Sequence, residues 1–307
     1  MSDDSETSSS SVTRRRIQKI AEWIEQFDYT CYKYQTRTFA CQGNLRFFRS
    51  FVIYRWIVML LWLTTIVVTL CDLGKPPSQY SKDYHHYLKY FIFISNHALI
   101  IAFVQVSLGA FIATRSAVSH NVRHRPLAPD PVGGIELVYW KLHELSTSLA
   151  IAVSTAYWLM IHPQRKTPSD LNNYLTHLVN SIYCVADWLI TGLPQNLSDA
   201  WIGWLYGIWY TIFTFVYWHF GGTARVPLDE SAPTREIYPG CTDWERVGVT
   251  LVCFFWLGCL YCMSHVVLCF LYLLLKKLQP PIPVIRLENS EIDQPRVVRF
   301  RRRESFL

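Results

Sequence analysis

The chain has 307 residues, of which 51% are apolar, 15% aromatic and only 17% charged, well below the roughly 25% charge of a soluble domain. That composition excludes a water-soluble enzyme, and with twelve Trp, seventeen Phe and only nine Cys it also excludes a disordered or disulfide-dense chain. The net charge of +6 lies in the connections between apolar blocks, where it sets orientation. No basic patch interleaves with aromatics on a polar domain, so no nucleic-acid partner is expected.

Residues 1–50 read as a cytoplasmic tail. Met1 to Thr13 is acidic and Ser-rich, with nothing to bury. Ile17, Ile20, Ile24 and Phe27 then recur at helical spacing among basic residues, predicting a short interfacial helix. Cys31 and Cys41, close to the membrane, are candidates for palmitoylation. Residues 51–277 hold six apolar blocks: Phe51–Cys71, Tyr90–Ala113, Leu145–His162, Asn173–Leu193, Trp201–Phe220 and Val247–Leu275. Each is about the twenty residues a helix needs to cross roughly 30 Å of hydrocarbon. The third carries Ser146, Thr147, Ser148, Ser154 and Thr155, so it is expected inside the bundle, away from lipid. Arg55, near the cytoplasmic end of the first block, is expected to snorkel.

Residues 278–307 form a basic tail. Arg296–Arg303 is expected to attract anionic lipid at about 1 kcal/mol per charge, and the ending Ser305, Phe306 and Leu307 fits a PDZ-domain ligand. With these spans, twenty Lys and Arg fall on one side of the membrane and eight on the other, Arg55 apart. The positive-inside rule then places both termini in the cytoplasm. No apolar signal core precedes the first span, which is expected to serve as an uncleaved anchor. The expected fold is all-α: a polytopic membrane helix bundle of about six transmembrane helices.

Polar residues within the spans are patterned. Asn173, His177, Asn180, Cys184, Asp187 and Thr191 follow at spacings of three and four, which puts them on one helix face. Span two answers with Ser95, Ala98, Ala102, Gln105 and Gly109, and span three with His143, Thr147, Ala150, Ser154 and Tyr157. Span five offers Gly203, Gly207, Tyr210, Thr214 and Tyr217, and span six Gly258, Cys262, His265 and Cys269. These stripes predict a polar interior lined mainly by spans two to five. Helix rise puts Ser95 about 8 Å and His177 about 6 Å below the outer boundary, in one layer with Asn96, His97, His162, Asn180 and His219. A hydroxyl and an imidazole at matching depth are the minimum for acyl transfer: Ser95 as nucleophile, His177 as base, and Asn96 or Asn180 donating to an oxyanion. Interhelical hydrogen bonding explains the same residues without chemistry. Asp187 points more strongly to function, since a carboxylate in mid-span costs about 2.5 to 3.5 kcal/mol unless paired.

Other motifs carry less. His85-His86 and His120 with His124 fall on opposite sides of the membrane, and Cys259-x-x-Cys262 has no second pair, so no metal or cofactor is expected. Cys71 and Cys241 share the outer side, where a disulfide is chemically allowed. The sequon at Asn196 lies in a short cytoplasmic connection and should be silent.

The run THLVNSIYCVADWLITGLP from Thr176 to Pro194, the aromatic span closing in GGT, and IYPGCTDW before the last span together resemble the rolling stone family. The resemblance covers about Phe51 to Lys277 and implies a six-span or similar membrane protein linked to myoblast fusion. That family is in turn distantly similar to the androgen-induced-gene group of membrane hydrolases, which cleave fatty-acid esters of hydroxy fatty acids with an intramembrane Thr and His. Carried over, the His falls on His177 and the Thr on Ser95, a departure that keeps the hydroxyl; His97, where relatives tend to carry an aromatic, is a second departure. The leading expectation is therefore a plasma-membrane protein of cell contact or fusion, with the endoplasmic reticulum as the other location. A lipid-ester hydrolase using Ser95 and His177, with Asn96, Asn180 and Asp187 in support, is the alternative. A small transporter using Asp187 is the third, although the chain shows no internal repeat.

Overall fold

The computed structural model describes residues 45–74, 87–123, 134–164, 169–224, 235–238 and 240–278. The expected interfacial helix, Cys31, Cys41, His85-His86, His124, the Arg296–Arg303 run and the C-terminal Ser305–Leu307 lie outside them. Every regular element among the described residues is helical. Helix α1 spans Leu45–Leu70. A 3₁₀ turn, Leu88–Ile92, leads into α2, Ile94–Arg123. Helix α3, Gly134–Ala156, runs into a π-helical turn, Tyr157–Ile161. Helix α4, Leu171–Tyr174, a second π-helical turn, Leu175–Val179, and α5, Asn180–Thr191, follow without a break. Helices α6, Trp201–His219, and α7, Val247–Leu278, complete the bundle.

Four helical stretches are long and apolar enough to cross a bilayer: Ser50–Leu70, Ile94–Arg115, Gly134–Ile161 and Trp244–Leu275. The other two expected spans are helical as well. One is divided by its π turn, and the other, α6, is rich in Trp and Tyr. Large apolar side chains of α1, α6 and α7, such as Ile57, Leu60, Trp209, Ile212, Phe255 and Phe270, are exposed on the outside of the bundle, where only lipid suits them. The chain is a polytopic integral membrane protein.

Local chemistry explains where elements begin and end. Asp170 caps α4, its carboxylate accepting from the Asn173 N–H at 2.8 Å. Gly192 closes α5 in the left-handed conformation, φ +60°, with its N–H returned to the Trp188 carbonyl at 2.9 Å, an arrangement a β-carbon would strain. Helix α3 starts eleven residues before the expected Leu145, and its extra turns carry Lys141, His143 and Glu144. These polar turns are tolerated because protein, not lipid, covers them. Helix α3 is the most enclosed of the four candidate spans, with 61% of its most apolar window buried, as its hydroxyl content required.

Candidate functional site

Two polar centres and a cavity that takes in His177 lie in the bundle interior. The first centre is built around Asp187, which is 3% exposed. Arg55 of α1 donates to its Oδ1 at 2.9 Å and Oδ2 at 3.2 Å, and Tyr54 donates to Oδ1 at 2.8 Å. Gln105 of α2 reaches Oδ2 at 3.5 Å, and His143 Nε2 of α3 lies 3.7 Å away. The other guanidinium nitrogen of Arg55 donates to the Tyr139 hydroxyl, and the guanidinium packs among the rings of Phe51, Tyr54 and Tyr139 at 5.1 to 5.9 Å. Gly109 makes room: a β-carbon there would lie 2.9 Å from the Tyr139 ring and 3.3 Å from the Arg55 guanidinium carbon. Arg55 therefore does not snorkel. It is 2% exposed, drawn inward because the Asp187 carboxylate, four helices' polar groups and three aromatic rings compensate its charge better than a stretch toward water. Span one, expected outside the polar interior, supplies the cation, and span five, expected inside it, contributes little beyond Tyr210 and Thr214.

The second centre holds the α5–α6 connection. Glu144 accepts from the Asn196 N–H at 2.6 Å, Lys141 pairs with Asp199, and Asn196 Nδ2 donates to Asp199 at 2.9 Å. Trp140 donates to the Pro194 carbonyl at 2.7 Å. His265 of α7 meets the Asn196 carbonyl through Nε2 at 2.7 Å and Ser148 through Nδ1 at 3.1 Å. A carbonyl only accepts, so Nε2 carries the proton and Nδ1 accepts from the Ser148 hydroxyl. Sequence reasoning missed this serine–histidine–carbonyl chain, although both residues stood on inward stripes or beside one. Ser148 and His265 are fully buried, and neither lines a cavity described here; they lock the connection in place. Burial alone would raise the Asp199 carboxyl, but hydrogen bonds with Lys141, Glu144 and Asn196 hold it below the usual range.

The cavity lies toward the opposite end of the bundle, where the two π-helical turns face one another. Tyr157, the first residue of one, stacks flat on His177 at the middle of the other, with ring centroids 3.5 Å apart and planes 2° from parallel. Beside the stack is a cavity of about 70 Å³ walled by Ile94, Val153, Met160, Tyr238, Cys253 and Leu257, among others, with His177 as its imidazole. The Tyr238 phenol accepts from the Ile94 N–H at 2.9 Å. Burial pushes that phenol up to about 12, opposed by hydrogen bonds with Ser95 and Ile94.

The expected catalytic residues are distributed around this end of the bundle. Ser95 and His177 are both buried, Ser95 against Tyr238 and His177 against Tyr157, with no hydrogen bond between them among the described residues. Asn96 donates to the Tyr90 carbonyl at 2.8 Å. Asn180, 2% exposed, accepts from the Cys184 thiol at 3.9 Å. Asp187 lies ten residues along from His177, about 15 Å by helix rise, and belongs to the other centre. His97 turns away toward α6, bonded to the Tyr206 hydroxyl at 2.8 Å and ringed by Trp209, Tyr210 and Phe213. His162 packs on Trp158, while His219 is exposed at the end of α6 beside Phe215. Cys259 and Cys262 are half-buried on α7, Cys262 accepting from the Trp204 indole.

The fold and these interiors define a polytopic helical membrane protein whose polar residues knit helices together. A family model described as "Protein rolling stone" matches residues 26–286, and the chain belongs to that family. It is 27% identical over 219 residues to "Protein rolling stone" of Drosophila melanogaster, covering 66% of this chain and 70% of the relative. No solved structure matches.

Proposed function

We propose that this protein serves cell–cell contact or fusion at the plasma membrane, as a six-span protein with both termini cytoplasmic, by taking part of a membrane lipid, a few methylene groups of its acyl chain, into the cavity beside His177. The observation that carries this reading is the meeting of two π-helical turns at the Tyr157–His177 stack. Such turns are rare and recur at functional sites. The cavity walls are almost wholly apolar, which suits acyl methylenes at about 0.8 kcal/mol each, and the imidazole suits an ester or headgroup oxygen. By its spans the chain has outer connections of roughly ten to twenty-six residues, too short for a large adhesive domain, so a contact role falls to lipid or to partner proteins.

The test pairs a cell-mixing assay with photocrosslinking to a phospholipid carrying a photoreactive acyl chain, in nanodiscs. Wild type should crosslink within Val153–Ile161 or Cys253–Leu257, and His177→Ala and Tyr157→Leu should lose both crosslinking and cell mixing. Folded variants that mix cells like wild type overturn the reading.

His177 on the cavity wall, with Ser95 one residue from the lining Ile94, favours a second reading as an intramembrane lipid-ester hydrolase. Ser95 Oγ attacks the acyl carbonyl, His177 takes its proton and returns it to the leaving alcohol, and water then releases the acyl group. Asn96 or Asn180 would have to exchange its present partner to support an oxyanion. Fluorophosphonate labelling lost in Ser95→Ala is the expected result; labelling retained in that variant removes Ser95 from the chemistry.

A further inference from the structure

We propose that Cys241 and Cys253 form a disulfide that straps the α6–α7 connection over the cavity beside His177. A shared outer side allows Cys241 to pair with Cys71; in the structure Cys71, Cys241 and Cys253 are all free thiols, and Cys71 is exposed at the end of α1. Cys241 and Cys253 instead line the same cavity, near enough that each thiol bears on the other electrostatically.

The connection is shaped to bring them together. Residues 237 and 238 tuck into the bundle, with Ile237 4% exposed and the Tyr238 phenol on the Ile94 N–H. The Cys241 and Thr242 N–H groups both donate to the Tyr238 carbonyl, at 3.0 and 3.1 Å. The Tyr238 N–H returns to the Thr242 hydroxyl at 2.6 Å. Gly240, at φ +71°, turns the chain between them and donates to Glu236 at 2.8 Å. Asp243 then caps the turn Trp244–Arg246, and its carbonyl accepts from Thr250 at 2.8 Å. The connection is thereby fixed against the first turns of α7, with Cys241 facing inward at 9% exposure.

The inference rests on the topology proposed above, which puts this connection on the lumenal and then extracellular side, where disulfides persist. The bond forms by exchange: two thiols become one S–S bond, and a protein or small-molecule disulfide of the secretory lumen takes up the two electrons and two protons and leaves as two thiols. Burial, ahead of the influence of the neighbouring Cys253, pushes the Cys241 thiol up to about 12, so little thiolate exists once the connection has closed. Exchange therefore belongs to folding in the lumen, and the finished bond resists later reduction.

The test uses the full chain made in animal cells, with membranes quenched in N-ethylmaleimide and digested with trypsin without reduction. Cleavage at Arg235 and Arg246 puts Cys241 and Cys253 in different peptides, so a link is seen as one species that reduction splits in two. Complete linkage is expected, retained in Cys259→Ser and Cys71→Ser and lost in Cys253→Ser, where Cys241 becomes alkylated. Alkylation of both thiols in wild type, or linkage of Cys241 to Cys71, overturns the proposal. A membrane-impermeant maleimide applied to intact cells separates the causes of failure. Free Cys241 with Cys71 labelled from outside means the pair does not oxidise; free Cys241 with Cys71 protected means the topology is wrong and the disulfide falls with it.

Discussion

Removing either partner of the Arg55–Asp187 pair should destabilise the bundle more than removing any other single polar contact of the two centres. In Asp187→Ala the Arg55 guanidinium stays buried with its charge uncompensated, because its remaining hydrogen-bond partner is the neutral Tyr139 hydroxyl. Breaking a buried pair from one side costs about 3–5 kcal/mol, and an unpaired charge at mid-span about 2.5–3.5 kcal/mol. The two figures overlap near 3 kcal/mol, which is the expected loss for Asp187→Ala and for Arg55→Ala. Asp187→Asn keeps the shape and loses the charge, so it should fall in the same range. Tyr54→Phe leaves the pair intact and removes one hydrogen bond to a charged group, about 1.5–3 kcal/mol. Replacing both charges, as Arg55→Met with Asp187→Leu, removes the uncompensated charge and should recover most of the single-variant loss. The assay is equilibrium unfolding in mixed micelles, read as thiol reactivity of Cys184, which is 4% exposed and one turn from Asp187, in a background whose other cysteines are serine. Two results would refute the reasoning: a loss under about 1 kcal/mol in Asp187→Ala, or a double variant as unstable as the sum of the singles.

Two glycines on one stripe of α6 should behave oppositely. A β-carbon at Gly203 would lie 2.1 Å from the Tyr261 ring, while one at Gly207 meets nothing within 4 Å. Gly203→Ala should therefore cost about 1–3 kcal/mol, and Gly207→Ala should be neutral or gain up to about 1 kcal/mol from helix propensity, both read by the same unfolding assay. Asp199 should make stability pH-dependent on the acid side. Its folded value is depressed, so its contribution is present above the ordinary carboxylate range near 3.9 and is lost as pH falls through the folded value. The gap between wild type and Asp199→Asn should close on acidification; a gap constant with pH would contradict the assignment. Asn196 is 7% exposed and bonded to Asp199, so glycosidase treatment should leave the mobility of the wild-type chain unchanged. Asn196→Gln should weaken the connection it holds, seen as earlier unfolding.

Helical spacing made the inward faces legible. All five residues of the α2 stripe and all five of the α3 stripe are buried, and on α4–α5 only Asn173 is partly exposed. Lipid imposes that outcome, because a polar face has nowhere else to go. The span α3 was legible for the same reason: its hydroxyls demanded an interior place. What periodicity does not encode is rotation between helices, and that decides which inward residues meet. Ser95 and His177 share a depth, yet each is engaged by an aromatic ring closer at hand, Tyr238 and Tyr157. The serine and histidine that do bond, Ser148 and His265, come from α3 and α7 and hold a backbone carbonyl. Nothing in the spacing of either residue distinguishes one pairing from the other.

Arg55 and the π turns show two further reasons for silence. A lone arginine near a helix end satisfies the rule for snorkelling by position alone; its inward course depends on a carboxylate 132 residues away and on Gly109 leaving room. A π turn adds one residue to a helical repeat without a residue type that announces it. The family segment of Thr176 to Pro194 is nonetheless physically coherent once placed. His177 lies within the second π turn, Asp187 anchors α1, Gly192 caps α5, and Pro194 offers its carbonyl to Trp140. One nineteen-residue run thus ties the cavity to both polar centres. A substitution at Asp187 should therefore disturb the cavity beside His177 only through the rigidity of α5, and lipid crosslinking within Val153–Ile161 or Cys253–Leu257 in a folded Arg55→Met, Asp187→Leu variant should match wild type. Loss of crosslinking in that folded variant would mean that the ion pair sets the position of His177 as well as holding the bundle together.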